Sequence, residues 1–172
     1  VDDLLIYFPR ETLEKMTVED KVQVRMQGRG MKIQGFEDTV HCISVDPQLF
    51  EKMDIMVEDG RLVIPVAARI PAHLMGSGMG EFSAVKGDYD IMTADREEIR
   101  RLHLVLLENC DNTYGRGYLK GAVSIGVVIH GDCILMGHGP GVSTMFSAKT
   151  PVIEGRLDCH ANLADLMGVS HK

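Results

Sequence analysis

Hydrophobic positions along this chain recur mostly at intervals of two or in short unbroken runs, the spacing of strands rather than of helices. Alternation at 21–26, the Val- and Ile-rich run at 61–70 and the mostly apolar runs at 104–108, 122–130, 133–137 and 142–148 predict strands, and 4–8, 31–36 and 39–45 are further candidates. Pro65 lacks a ladder N–H and so marks an edge or a bulge in its strand. The predicted helices are short. One follows Pro9 over 10–16. A second starts at Asp46-Pro47, a capping residue before a proline suited to the first turn, and runs to Met53. A third covers 95–102, where Asp95 and Glu98 form a capping box. Asp59-Gly60 and Gly131-Asp132 read as two-residue hairpin turns. The four glycines of 76–87 and the segment 110–117 read as loops, and beyond Thr150 the pattern fades, the last residues reading as a mobile tail or a short helix.

Two stretches share an order of blocks. Phe8-Pro9, Glu14-Lys15-Met16 and Val18-Glu19-Asp20 lead into Lys21-Val22-Gln23-Val24; Asp46-Pro47, Glu51-Lys52-Met53 and Val57-Glu58-Asp59 lead into Arg61-Leu62-Val63-Ile64. Each reads as strand, one-turn helix, tight turn, strand, a unit common in barrels; coincidence of common residues is the competing explanation. The expected fold is mainly β, with barrel-like or sandwich sheets and two or three short helices. Its expected divisions are a barrel-like region at 1–75, a glycine-rich β region at 76–149 and a tail at 150–172.

Charge narrows the partners. Lys and Arg number 18 against 25 Asp and Glu, a net charge of −7, and no basic run interrupts that balance. Nucleic acid and anionic membrane both require clustered positive charge, so neither is expected. The weakly charged stretch 121–148 is broken by His130, Asp132, His138 and glycines, short of the roughly 18 unbroken apolar residues of a membrane span. Four widely spaced cysteines, Cys42, Cys110, Cys133 and Cys159, contain no CxxC pair. They read as reduced and mostly buried thiols of a cytoplasmic protein. The chain opens Val-Asp-Asp without Met or a signal-peptide pattern, and is expected to have been trimmed or cut from a longer one.

The glycine motifs carry a family resemblance. Tyr114-Gly-Arg-Gly-Tyr-Leu-Lys-Gly121, Gly126-Val-Val-Ile-His130 and Gly137-His-Gly-Pro-Gly-Val-Ser-Thr144, with Ile70-Pro-Ala-His-Leu-Met-Gly-Ser-Gly78 and Gly87-Asp-Tyr-Asp-Ile91, resemble a bacterial and archaeal family, domain of unknown function 4438. The resemblance covers roughly 4–148. It implies a mainly β fold, no reaction, and relatives longer at the N-terminus, of which this chain resembles the central and C-terminal part. A chain that opens on a strand would then leave an edge exposed, which predicts a homo-oligomer or a contact with a missing N-terminal segment.

Five constellations hold candidate chemistry. His130, Asp132 and His138 have the composition of a metal site. If Gly131-Asp132 is a hairpin turn, however, the two imidazoles stand roughly 16 Å apart, too far for one ion, and no metal is expected. Gly137 to Gly141 follows a strand but opens no helix, so it is not a P-loop; it reads as a tight corner or an amide nest for an anion. In an extended segment Arg116, Tyr118 and Lys120 share a face, a grip for carboxylate or phosphate, against the alternative of a solvated edge. Asp88 and Asp90 flank Tyr89 and read as solvated, against the alternatives of an acid–base pair or a hold on a cation. Ser143 and Thr144 follow the corner without a nucleophile elbow. The favoured function is an anionic small-molecule site or an enzymatic one where 115–121 meets 137–141. Its ligand-binding residues would be Arg116, Tyr118, Lys120, Gly139, Gly141, Ser143 and Thr144, with His138 as proton-transfer residue and no cofactor specified. The alternative is a non-catalytic β module that assembles with partner chains or with itself.

Overall fold

A computed structural model describes residues 8–22, 30–76, 89–92, 99–131 and 139–169. Its strands form two sheets. The larger is ordered β1-β8-β7-β6-β4, with β5 also paired to β8; the smaller is β2-β3-β9. Their ranges are β1 His41–Cys42, β2 Met56–Glu58, β3 Arg61–Val66, β4 Ala68–Pro71, β5 Tyr89–Asp90, β6 Leu104–Asp111, β7 Gly117–His130, β8 Gly141–Ala148 and β9 Ile153–Leu157. The mainly β fold is as expected, but neither sheet closes into a barrel among the described residues; the arrangement is a sandwich.

Parity along β6 explains the layering. Leu104 and Leu106 face one way and join Leu62, Ile64, Ile125, Phe146 and Ile153 in a core between the sheets. Val105 and Leu107 face the other way and join Ile70, Ile91, Val128 and Val142 in a second core. A strand buried on both faces reads as a continuous apolar run, as Leu-Val-Leu-Leu does here.

The predicted strand at 61–70 is two strands. The chain leaves the small sheet after Val66, Ala67 donates its N–H to the Leu104 carbonyl (2.7 Å), and β4 continues in the large sheet. Pro65 lies past Val63↔Met56, the last pair of the β2–β3 hairpin. Leu62 donates to Val152 on the β9 side, so parity turns Pro65 to the side where β2 has ended and no N–H is needed. The hairpin turns at Asp59 and Gly60, with φ of 47° and 73°, positive at both positions as a type I′ turn requires.

Helix α1 is Arg10–Leu13 and α2 is Pro47–Lys52. Asp46 accepts the Gln48 N–H (2.8 Å) as the cap, and Phe50 packs edge-on against Phe146 with ring centroids 6.2 Å apart. The remaining expectations fared differently. Residues 31–36 form no strand and turn at 34–35: Phe36 donates to Ile33 (2.9 Å), Thr39 to Phe36 (3.1 Å), and Gly35 takes φ 85°. Of 39–45 only β1 is extended. The strands at 4–8, 21–26 and 133–137 lie mostly outside the described residues, as does the first half of the helix at 95–102, whose described part, 99–102, is not helical. The first copy of the repeat is described over 8–22, where α1 and a turn at 18–19 occur in the expected order and 21–22 belong to no strand. The stretch expected to be a tail carries β9, which pairs in parallel with β3, and helix α3, Leu163–Met167. Asn162 caps α3 by accepting the Ala164 N–H (2.9 Å), and Gly168 ends it at φ 68°.

Because β6 and β7 contribute to both cores, the chain is expected to unfold as one unit. Urea titration followed by circular dichroism and by tyrosine fluorescence should give coincident transitions. Ile64→Ala, at a fully buried position, should lower the unfolding free energy by about 2–5 kcal/mol. Two resolved transitions would contradict the shared core.

Candidate functional site

The β6–β7 hairpin does not run straight to its tip. Glu108 pairs with Val123 and Cys110 with Tyr118, so Asn109 alone stands opposite residues 119–122. Asn109 takes φ 57° and Gly121 φ 86°, and the Asn109 carboxamide oxygen accepts the Gly121 N–H at 2.8 Å. Asn and Gly are the residues that tolerate this backbone region. The wide bulge bends the hairpin, and its tip lies over the large sheet.

Buried hydroxyls hold it there. Asn112 donates its backbone N–H to Ser147 Oγ (2.9 Å) and its carboxamide Nδ2 to Thr144 Oγ1 (3.1 Å). Ser124 Oγ lies 2.8 Å from the Cys110 carbonyl and 3.0 Å from Ser147 Oγ. A hydroxyl carries one proton. Ser124 gives its proton to Cys110, so Ser147 donates to Ser124, and the chain of donation runs Asn112 → Ser147 → Ser124 → Cys110. All four polar residues, Asn112, Ser124, Thr144 and Ser147, are buried. They extend the second core along the same face of the sheet, where Ser124 follows the parity of Val128.

The curled tip encloses an open concavity of about 530 Å³ lined by Asp111 and residues 114–119. Arg116 is only 9% exposed, whereas Tyr114 and Tyr118 are 82% and 64% exposed. Arg116 already has an interaction within the chain. Asp111, the acidic wall, accepts the Thr113 N–H at 3.0 Å. Arg116 and Tyr118 both line this one concavity. Lys120 is exposed and lies beyond it, within the bulge; Arg116 precedes β7 and is buried, so the three do not present one uniform face.

The other expected residues divide. Thr144 joins the tip through Asn112. Ser143 pairs with Val127 in the sheet. Gly139 and Gly141 belong to a corner whose neighbours are Ile91 and Asp90: Gly141 pairs with Asp90 and Pro140 accepts the Ile91 N–H (2.9 Å). A Cβ on Gly139 would stand 1.7 Å from the Ile91 carbonyl oxygen, so close approach of backbone is what this glycine serves. The Asp90 side chain is 6% exposed, with His130 Nε2 at 3.7 Å. A buried carboxylate beside the corner disfavours an anion there. Asp90 is therefore not a solvated residue. Asp88, Asp132, Gly137 and His138 lie outside the described residues.

Sequence reasoning missed a second concavity, of about 250 Å³, lined by 38, 39, 41, 113, 114, 149 and 150. Tyr114 separates it from the first. Its ring meets the His41 ring nearly edge-on at 5.6 Å, and Lys149 Nζ lies 5.3 Å from its centroid. Nearby, the backbone N–H groups of Glu37 and Gly35 hold the Glu37 carboxyl below its ordinary range. Burial pushes the Cys42 thiol up to about 11. Among the described residues Cys42, Cys110 and Cys159 are free thiols, the first two buried.

Family models and solved structures relate this geometry to other chains. The model described as "Domain of unknown function (DUF4438), N-terminal" matches residues 1–51, and the corresponding C-terminal model matches 52–167. The chain is thus not confined to the C-terminal part. Among solved structures it is similar to one titled "Crystal structure of TM1086", at 41% sequence identity and a TM-score of 0.72, over 78% of this chain and 49% of that one. The match spans about half the length of that relative. A search of curated proteins found no match.

Two outcomes follow from this geometry. Ser147→Ala leaves the Asn112 N–H without its acceptor and should cost about 1–3 kcal/mol, with accelerated amide hydrogen exchange concentrated at 110–118; protection there unchanged would refute the stapling role. In a Cys133→Ser background, a thiol reagent at pH 8 should modify the exposed Cys159 promptly, and Cys42 and Cys110 only after denaturation, because both are buried from the reagent and burial also leaves Cys42 with little thiolate.

Proposed function

The chain belongs to the DUF4438 family, and we propose that it is a binding domain for a small anionic ligand, a carboxylate or phosphate, held at the concavity of the β6–β7 tip. The observation that carries this reading is Arg116: an arginine nine-tenths buried in the wall of an open concavity, between two exposed tyrosines. A charge in such a place is costly to desolvate unless it is matched. A guanidinium presents five N–H donors, so an internal contact and a ligand oxygen pair can share it in the bidentate geometry that favours Arg over Lys. The Tyr118 hydroxyl supplies a further donor, and Lys120 adds positive potential from the adjoining bulge. Asp111 repels less than its charge suggests, because the Thr113 N–H engages it. The Gly139–Gly141 corner is not part of the proposed site, and no reaction is assigned.

A second reading, a module that assembles with other chains, has its own observation: Tyr114, Tyr118 and Leu119 are exposed together on the tip, at 82%, 64% and 39%. A thermal-shift screen of small carboxylates and phosphates separates the two. A ligand at a hundredfold excess over its Kd stabilises the folded state by about 2.7 kcal/mol, several degrees in midpoint for a chain of this size. Arg116→Gln should abolish that shift, and Arg116→Lys should weaken binding by roughly tenfold or more, with both variants keeping a cooperative ligand-free transition. Absence of a shift with every anion, together with a concentration-dependent mass in light scattering that Tyr118→Ser lowers, would favour assembly.

A further inference from the structure

The concavity on the far side of Tyr114 differs in chemistry from the Arg116 site. Three separate chain segments meet there: 38–41 leading into β1, 113–114 from the hairpin tip, and 149–150 just past β8. The pairing of His41 with Ser147 and the staple from Asn112 to Ser147 fix all three to the same strand end. Asp38 and Lys149 put opposite charges on one groove, yet among the described residues no ion pair joins them. Lys149 instead reaches over the Tyr114 ring, and that ring is braced by His41. Thr113 and Thr150 add hydroxyls that donate or accept, and Thr39, whose hydroxyl donates to the Phe36 carbonyl (3.4 Å), adds an acceptor.

Charge selects the ligand. A simple anion drawn to Lys149 is repelled by Asp38, and a simple cation drawn to Asp38 is repelled by Lys149. A molecule with one charge of each sign a few ångströms apart satisfies both walls at once. The volume, about 250 Å³, lies below the roughly 300–1,000 Å³ of sites for drug-sized ligands and suits a molecule of amino-acid size. We propose that this groove binds a small zwitterion of the free α-amino-acid class. Its carboxylate meets Lys149 and the threonine hydroxyls, and its ammonium meets Asp38. Tyr114 is the wall that closes the groove against the tip. The site is independent of the anion-binding reading, since it uses neither Arg116 nor Tyr118.

Calorimetric titration of the chain with glycine, L-alanine and L-serine, beside acetate and methylammonium at the same concentrations, tests the proposal. At least one amino acid should bind, while acetate and methylammonium bind at least tenfold more weakly. Asp38→Asn and Lys149→Gln should each lower that affinity tenfold or more without moving the ligand-free unfolding midpoint, since both side chains are exposed. Arg116→Gln should leave it unchanged, which distinguishes this site from the tip concavity. Binding of none of the three amino acids, acetate binding as tightly as they do, or amino-acid binding that survives Asp38→Asn would each overturn the proposal.

Discussion

The short run of buried hydroxyls, Asn112 to Ser147 to Ser124 to Cys110, is the interaction on which the functional end of this molecule depends. A polar group taken out of water must find a partner, and here the partners are shared among three strands and a loop. Ser124 and Ser147 sit on adjacent positions of β7 and β8, where an apolar pair would simply extend the second core. As hydroxyls they demand a donor from above and an acceptor below. The Asn112 amide and the Cys110 carbonyl meet that demand only when the hairpin curls over the sheet. The curl in turn brings Arg116 into a wall and sets Tyr114 between two concavities.

The two faces of the large sheet therefore have different duties. One is apolar throughout and carries the small sheet and α2, so it contributes stability through area removed from water. The other grades from Ile70, Leu107 and Val142 into the hydroxyl layer, exchanging some hydrophobic burial for a directional contact. The boundary between the matched family models at 51 and 52 falls within α2, and Val40, Val45, Ile64 and Phe146 share one core across it. The two matched parts are thus halves of a single packing arrangement. At the opposite end of β7, His130 and the buried Asp90 close a corner built for close backbone approach rather than for ligand.

Local chemistry announced much of the fold. Asp46-Pro47 and Asp59-Gly60 act through contacts within four residues, and each does in the structure what its residue types favour. The apolar runs at 104–108, 122–130 and 142–148 are of strand length and bounded by loop or turn residues, which favours strands over a buried helix. The sequence at 31–36 misled because its alternation of apolar and polar residues is also that of successive turns, and Gly35 with the Glu37 carboxylate settles the choice. The last strand was missed because Ile153-Glu-Gly-Arg-Leu157 is short and weakly patterned; its pairing with β3 spans some ninety residues and leaves no local trace. Helix α3 did leave one, Asn162 and Gly168 at the two caps.

For the site, the sequence by itself determined which groups were available: a guanidinium and phenols set among glycines, an uncrowded stretch of weak charge, and no basic run. Those follow from residue identity and near-neighbour spacing. Only the tertiary structure decided which of them meet. It set Gly139 and Gly141 at a corner packed on Ile91 and beside the Asp90 carboxyl, away from the concavity of the tip. It buried Arg116 while leaving Tyr118 exposed, because Arg116 sits in the turn before β7 and outside the alternation of the strand, and the bulge at Asn109 and Gly121 then sets Lys120 apart from both. And it joined Asp38 and His41 to Tyr114 and Lys149, residues more than seventy positions apart at the nearest step. No periodicity encodes that meeting; it exists because β1 pairs with β8 and a chain of hydroxyls holds the hairpin against them.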